Sequence, residues 1–238
     1  MEKNQLTDML MCFGLTRQEA ILYVCLSQNG ELTGYEAAKQ TGISRSNAYN
    51  ALAGLADKGA AYTTEGTAVR YHAVDAEEFC SNKIRVLQEQ KRQLTAMMPK
   101  PKTEAEGYLT ITGDIHIRDK VKNMIAGSGQ RIYLSMTAAY IPEFKPELQE
   151  ALQRGRKVVI ITDGTVEFPG VFLYQSNSRE TQIGVITDSA NVLTGEYGRG
   201  ADSTCLYSGQ PNFVQVFKDS MRNEIELIRI RTGQNGTQ

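Results

Sequence analysis

The stretch Thr33-Gly34-Tyr35-Glu36-Ala37-Ala38-Lys39-Gln40-Thr41-Gly42-Ile43-Ser44-Arg45-Ser46-Asn47-Ala48-Tyr49-Asn50-Ala51-Leu52 decides how the N-terminal third folds. Thr33 caps a short helix that ends at Gly42, a residue free to take positive φ. Ser44 caps the next helix, Arg45 to Lys58, which closes at Gly59. Only Thr41-Gly42-Ile43 separates the two, the short glycine-containing turn of a helix-turn-helix, with Ile43 set to pack between them. Ala48, Leu52 and Leu55 recur with helical spacing and predict the buried stripe of the second helix. Its opposite face carries Arg45, Ser46, Tyr49 and Asn50 close to the N-terminal end. There, groups that donate and accept hydrogen bonds reach base edges or phosphates.

Upstream, Thr16-Arg17-Gln18-Glu19 has the capping-box pattern, and Ala20, Ile21, Val24 and Cys25 supply an apolar face that stops at Asn29-Gly30. Downstream, Ala61-Tyr62-Thr63 and Ala68 to Ala73 are two β-like runs about the turn Thr64-Glu65-Gly66-Thr67. A hairpin directly after the recognition helix is a wing, and Arg70 on its return strand reaches for phosphate or a minor groove. Residues 1–74 therefore read as a winged-helix DNA-binding domain, with Lys39, Ser44, Arg45, Ser46, Tyr49, Asn50 and Arg70 as the candidate contacts to double-stranded DNA.

From Asp75 the pattern changes. Cys80, Ile84, Leu87, Lys91, Leu94 and Met98 are spaced alternately by four and three, as in a coiled-coil seam. Residues 75–98 are read as a dimerisation helix, parallel or antiparallel with its mate; packing on its own domain is the alternative. Residues 99–107, rich in proline and charge, form a linker.

Residues 108–238 alternate strand-like and helical runs. Strands are expected at Tyr108–Thr112, Arg131–Met136, Lys157–Thr162, Gly170–Gln175, Gln182–Thr187 and Ser203–Tyr207. Helices are expected at Ile115–Ile125, Glu143–Gln153 and Asn212–Arg229. Such alternation predicts an α/β sandwich with a largely parallel first half. The chain as a whole is α+β multidomain: a winged helix-turn-helix, a connecting coiled-coil-like helix and the α/β sandwich. In open α/β sheets ligands bind beyond the carboxyl ends of strands, which here supply Thr112, Ser135, Thr162 and Asp163 as candidates for contacting an unknown small-molecule effector.

Composition narrows the function. The 238 residues are 41% hydrophobic, enough for two cored domains. With 26 Lys and Arg against 27 Asp and Glu, the net charge is −1, so any basic footprint must be local. No apolar run approaches the ~20 residues of a membrane helix and no signal-peptide pattern opens the chain, so it is read as cytoplasmic. Cys12, Cys25, Cys80 and Cys205 show no paired spacing, and neither a metal site nor a cofactor is expected. Two histidines, His72 and His116, with no nucleophile elbow, zincin helix or phosphate loop, name no catalytic residue.

The runs Leu15-Thr16-Arg17-Gln18-Glu19-Ala20, Thr33 to Ala38, Ile43 to Tyr49 and Leu52-Ala53-Gly54-Leu55, with Arg70-Tyr71-His72-Ala73-Val74, resemble the N-terminal domain of TrmB-like transcriptional regulators. The resemblance covers about 75 residues. It implies a helix after the wing that dimerises and a regulatory C-terminal portion with a phospholipase D-like fold. The H-x-K-x4-D signature of the active phospholipase D enzymes is missing, since Arg118 and Asn123 follow His116, so a catalytically inactive copy is implied. The chain is too short for the additional sugar-binding region of some family members. The resulting expectation is a homodimeric, sequence-specific DNA-binding regulator with an effector-sensing C-terminal domain. Its rival is a protein-interaction adaptor whose winged helix does not bind DNA.

Overall fold

The computed structural model describes residues 2–66, 68–99, 107–177 and 179–232. It divides into two compact units, Met1–Lys100 and Pro101–Gln238. In the expected linker 99–107, residues 100–106 lie outside the described residues.

The first unit comprises α1 (Glu2–Cys12), α2 (Arg17–Asn29), β1 (Leu32–Thr33), α3 (Gly34–Thr41), α4 (Arg45–Asp57), β2 (Ala61–Thr64), β3 (Arg70–Ala73) and α5 (Ala76–Met97). The three strands form an antiparallel sheet in the order β1-β3-β2, with β2 and β3 as the wing. Both α2 and α3 begin with reciprocal capping boxes, Thr16 with Glu19 and Thr33 with Glu36. Gly42 takes φ 72°, ψ 7° and donates its N–H to Ala38 at 3.0 Å, which ends α3 and turns the chain into α4. Ala48, Leu52 and Leu55 of α4 are fully buried among Ala20, Leu22 and Leu26 of α2, and Ile43 packs against the same cluster.

The connecting helix is continuous with this core. Asp75 caps α5 by accepting the N–H groups of Glu77 and Glu78 at 2.9 and 3.3 Å. One turn later Phe79, 2% exposed, lies with its ring centroid 5.8 Å from that of Tyr23 and 6.4 Å from that of Phe13. The Tyr23 hydroxyl donates to the Val74 carbonyl at 2.7 Å, and burial pushes its pKa up to about 12. The start of α5 is therefore part of the winged-helix core, and residues 75–98 are not a free-standing element.

The second unit comprises β4 (Leu109–Thr112), α6 (Asp114–Gly127), β5 (Arg131–Ser135), a 3-10 helix (Ala138–Phe144), α7 (Lys145–Gln153), β6 (Lys157–Thr162), β7 (Phe172–Gln175), β8 (Gln182–Thr187), β9 (Asn191–Glu196), a second 3-10 helix (Gly200–Asp202), β10 (Thr204–Ser208) and α8 (Pro211–Arg231). One sheet holds seven strands in the order β4-β10-β9-β8-β5-β6-β7. Strand alternation sorts side chains to two cores. Ile132, Leu134, Val158 and Ile160 face α6 and α7, while Tyr133, Ile161 and Ile186 face α8. The result is a three-layer sandwich.

The expected parallel first half holds only for β5, β6 and β7; β4 sits at the far edge, antiparallel to β10. The physical reason is β9, which sequence reading missed. It forms a hairpin with β8 and pairs on its other side with β10, so that three antiparallel strands, β10, β9 and β8, separate β4 from the parallel block. Its turn uses Asp188 and Ser189 at φ 53° and 55°, a type I′ pattern without the usual glycine.

Asp188 also closes the sheet against the α6–β5 loop, accepting the N–H groups of Gly129, Gln130 and Arg131 at 2.6, 2.7 and 2.9 Å. Burial raises its pKa, but the three N–H donors outweigh burial and hold the carboxyl below its ordinary value of 3.8. A depressed folded-state pKa gives stability that is present above 3.8 and lost as pH falls through the folded value. Asp188→Asn keeps a residue tolerant of positive φ yet loses the charge, and is expected to cost about 1–3 kcal/mol near neutral pH. Urea melts of both proteins at about pH 7 and about pH 3 check this, with the difference shrinking in acid.

Candidate nucleic-acid interface

The outer face of α4 is built by what lies beneath it. With Ala48, Leu52 and Leu55 at zero exposure, Arg45, Ser46, Tyr49 and Asn50 are all turned to solvent. Tyr49 remains 46% exposed, and its ring lies over Gly34, where an added Cβ would come within 2.4 Å of Cε1. The absence of a side chain at the start of α3 thus fixes where the tyrosine stands. The Arg45 guanidinium lies 4.5 Å from the centroid of the exposed Tyr35 ring, a cation–π contact across the turn. Lys39 is exposed on α3. Ser44 accepts the N–H of Asn47 at 3.4 Å, so its hydroxyl serves first as the helix cap.

Arg70 is placed differently from a free wing anchor. Its guanidinium lies 3.8 Å from the Glu36 carboxylate and 3.4 Å from the Glu31 carbonyl, which ties the wing to the start of α3. Thr64 on β2 donates to the Glu31 carboxylate at 2.7 Å. Glu36 in turn accepts from the Thr33 N–H and hydroxyl at 2.8 and 2.9 Å; these bonds, with Arg70, hold its pKa below the ordinary value.

A second acid sets the depth of α4. Glu19, 6% exposed, accepts from the Thr16 N–H and from the Lys58 ammonium, both at 2.6 Å. Burial disfavours its charge, but Lys58 and Thr16 prevail and hold its pKa low. This link joins the start of α2 to the end of α4 and withdraws Lys58 from any DNA-facing role. Tyr35, Glu36 and the Glu19–Lys58 pair went unassigned in the sequence; the two capping-box glutamates were the readable signal.

Along α5 the expected seam begins one turn late. Cys80 is half-buried against the winged-helix core beside Phe79, whereas Ile84, Leu87, Lys91, Leu94 and Met98 are exposed.

The residues expected to meet an effector are dispersed. Ser135 and Thr162 are buried at the ends of neighbouring strands, and the Thr162 hydroxyl has no partner among the described residues. Asp163 is committed to the Thr137 hydroxyl and the N–H groups of Ala138 and Arg179. Thr112 lies on β4, with three strands between it and β5. Ser135 does border a polar cavity of about 390 Å³ with Thr194 and the paired Arg179 and Glu224. His72 is on β3 and His116 on α6, in different units. Among the described residues no group of three His, Cys, Asp or Glu side chains is placed to hold a metal. No single helix there is long and apolar enough to cross a membrane.

Gly34→Ala is expected to drive the Tyr49 ring from its seat at a cost of about 1–3 kcal/mol. Adding Tyr49→Ala removes the collision and recovers most of the loss, a non-additivity that thermal melts of the four proteins measure.

The chain is similar to several known proteins. The Bacillus subtilis (strain 168) uncharacterized protein YrhO is 28% identical over 239 residues, covering 96% of this chain and 87% of that protein. Among solved structures, the archaeal chromatin protein TrmBL2, described as showing a novel mode of DNA binding, is matched at 19% identity and TM-score 0.45, over 95% of this chain and 99% of that one. Nuc from Salmonella typhimurium, a phospholipase D family member, is matched at 15% identity and TM-score 0.39, over 49% of this chain and 93% of that one. Residues 10–77, which span the helix-turn-helix, the wing and the first two residues of α5, match the model of the TrmB family, described as sugar-specific transcriptional regulators.

Proposed function

We propose that this chain is a sequence-specific, DNA-binding transcriptional regulator that acts as a homodimer and carries an effector-sensing C-terminal unit. The observation that carries the reading is α4, sealed on its inner face and presenting Arg45, Ser46, Asn50 and a braced Tyr49 outward near its N-terminal end. Set in a major groove, Ser46, Tyr49 and Asn50 would meet bases or sugars, and Arg45 and Lys39 would meet phosphates. The Ser44 cap would hold the first turn of α4 toward the backbone. Arg70 would exchange Glu36 for a phosphate as the wing docks.

The exposed stripe Ile84, Leu87, Leu94 and Met98, with Lys91 between, is the surface proposed to pair two chains. A pair of recognition helices then matches a pseudo-palindromic site. Effector binding in the C-terminal unit would favour one of two dimer states, since a ligand shifts an equilibrium only through differential affinity. The family match over residues 10–77 supports the DNA-binding half of this reading. One observation favours an adaptor instead: the Arg70 guanidinium already lies 3.8 Å from the Glu36 carboxylate.

Fluorescence anisotropy on a bound DNA duplex separates the two. Arg45→Ala is expected to weaken binding to all duplexes and lower the salt slope by about one. Asn50→Ala is expected to cost about 1–3 kcal/mol on the preferred site and little elsewhere. Binding by wild type that is absent at every salt concentration favours the adaptor.

A further inference from the structure

The α8 face of the second unit contains another cavity, of about 280 Å³, at the end of the sheet where β5 and β6 begin. Five cations line it, Arg131, Lys157, Lys218, Arg222 and Arg229, against one carboxylate, Glu226. Arg131 and Lys157 are direct register partners at the first positions of β5 and β6. Like charges set side by side across a ladder destabilise it. Neither forms an ion pair among the described residues; the Lys157 ammonium rests instead 4.8 Å from the Phe172 ring centroid. Lys218, Arg222 and Arg229 bring three more cations from α8 to the same space. Of these, Arg222 is paired with Asp219 at 3.0 Å, and Arg229 donates to the Tyr174 hydroxyl at 2.7 Å. The floor is apolar, formed by Tyr133, Val159, Ile186 and Met221.

A concave site with an apolar floor and a few convergent polar groups is the ordinary form of a small-molecule pocket, and this volume lies near the lower end of the usual ~300–1,000 Å³. Arginine grips compact oxyanions through paired N–H donors, and a phosphate concentrates up to about two negative charges on one group. We propose that this cavity binds a small phosphorylated metabolite, its phosphate between Arg131, Lys157 and the α8 cations and its body on the Tyr133 side. The anion supplies the counter-charge that the Arg131–Lys157 pair lacks. The proposal rests on the regulator reading only in calling the ligand an effector. It moves the effector site from the carboxyl ends of the strands, where Ser135, Thr162 and Asp163 lie, to their opposite ends.

The test is calorimetry on the full chain at constant ionic strength, with glucose 6-phosphate, AMP and inorganic pyrophosphate as probes and glucose, adenosine and sodium chloride as controls. At least one phosphate probe is expected to bind where its unphosphorylated counterpart does not. The double variant Arg131→Gln/Lys157→Gln is expected to weaken that binding about tenfold or more. The same variant is expected to melt no lower than wild type without ligand, because the like-charge contact is gone; a purely structural role would lower the melt. No heat from any phosphate probe, or equal binding by wild type and double variant, overturns the site. Loss of DNA affinity in the double variant, without binding of any small phosphate, also overturns it and assigns the cations to duplex phosphates. Phosphate binding by a wild-type chain that binds no DNA leaves this site standing and overturns the regulator reading instead.

Discussion

Phe79 is the contact on which the arrangement of the first unit depends. Its ring sits against Tyr23 and Phe13, and the Tyr23 hydroxyl holds the Val74 carbonyl just before α5 begins. Without this anchor only the half-buried Cys80 and the Tyr62–Glu78 hydrogen bond at 3.0 Å would hold the start of α5 to the core that carries α4. With it, the surface proposed to pair two chains and the surface proposed to read DNA belong to one core. Phe79→Ala would open a cavity and also release the start of the helix, two costs of different kind at one position.

Electrostatics explains how a near-neutral chain can still offer a basic face. The acids nearest the outer face of α4 are not idle. Glu36 closes a capping box and meets Arg70, while Glu19 closes another and holds Lys58. Their charge is spent on positioning α2, α3 and α4, which leaves Arg45 and Lys39 facing solvent without ion pairs among the described residues. Net charge is therefore a poor guide to this surface, because it counts structural carboxylates equally with exposed cations.

What the sequence reveals follows the range of the interactions involved. Caps, the helix-turn-helix turn and the wing are set by residues within a few positions of one another, and Thr16, Thr33, Gly42 and Ser44 all act where local chemistry puts them. Strand β9 follows a turn in which Asp188 and Ser189 stand where glycine would signal a hairpin, so it escapes a local reading. Phe79 is hidden one position before the period that begins at Cys80. The cationic cavity is the extreme case. Residues 131, 157, 218, 222 and 229 share no motif, and only the register of β5 with β6 and the packing of α8 bring them together.

The account's central claim is that two chains, paired along α5, present α4 to DNA at a fixed separation. The most direct measurement is selection of bound fragments from a genomic DNA pool by the purified wild-type protein. The account predicts enrichment of a two-fold-symmetric sequence whose half-sites are centred about one helical turn, or a multiple of it, apart. Enrichment of a single asymmetric element, or of nothing, would contradict it.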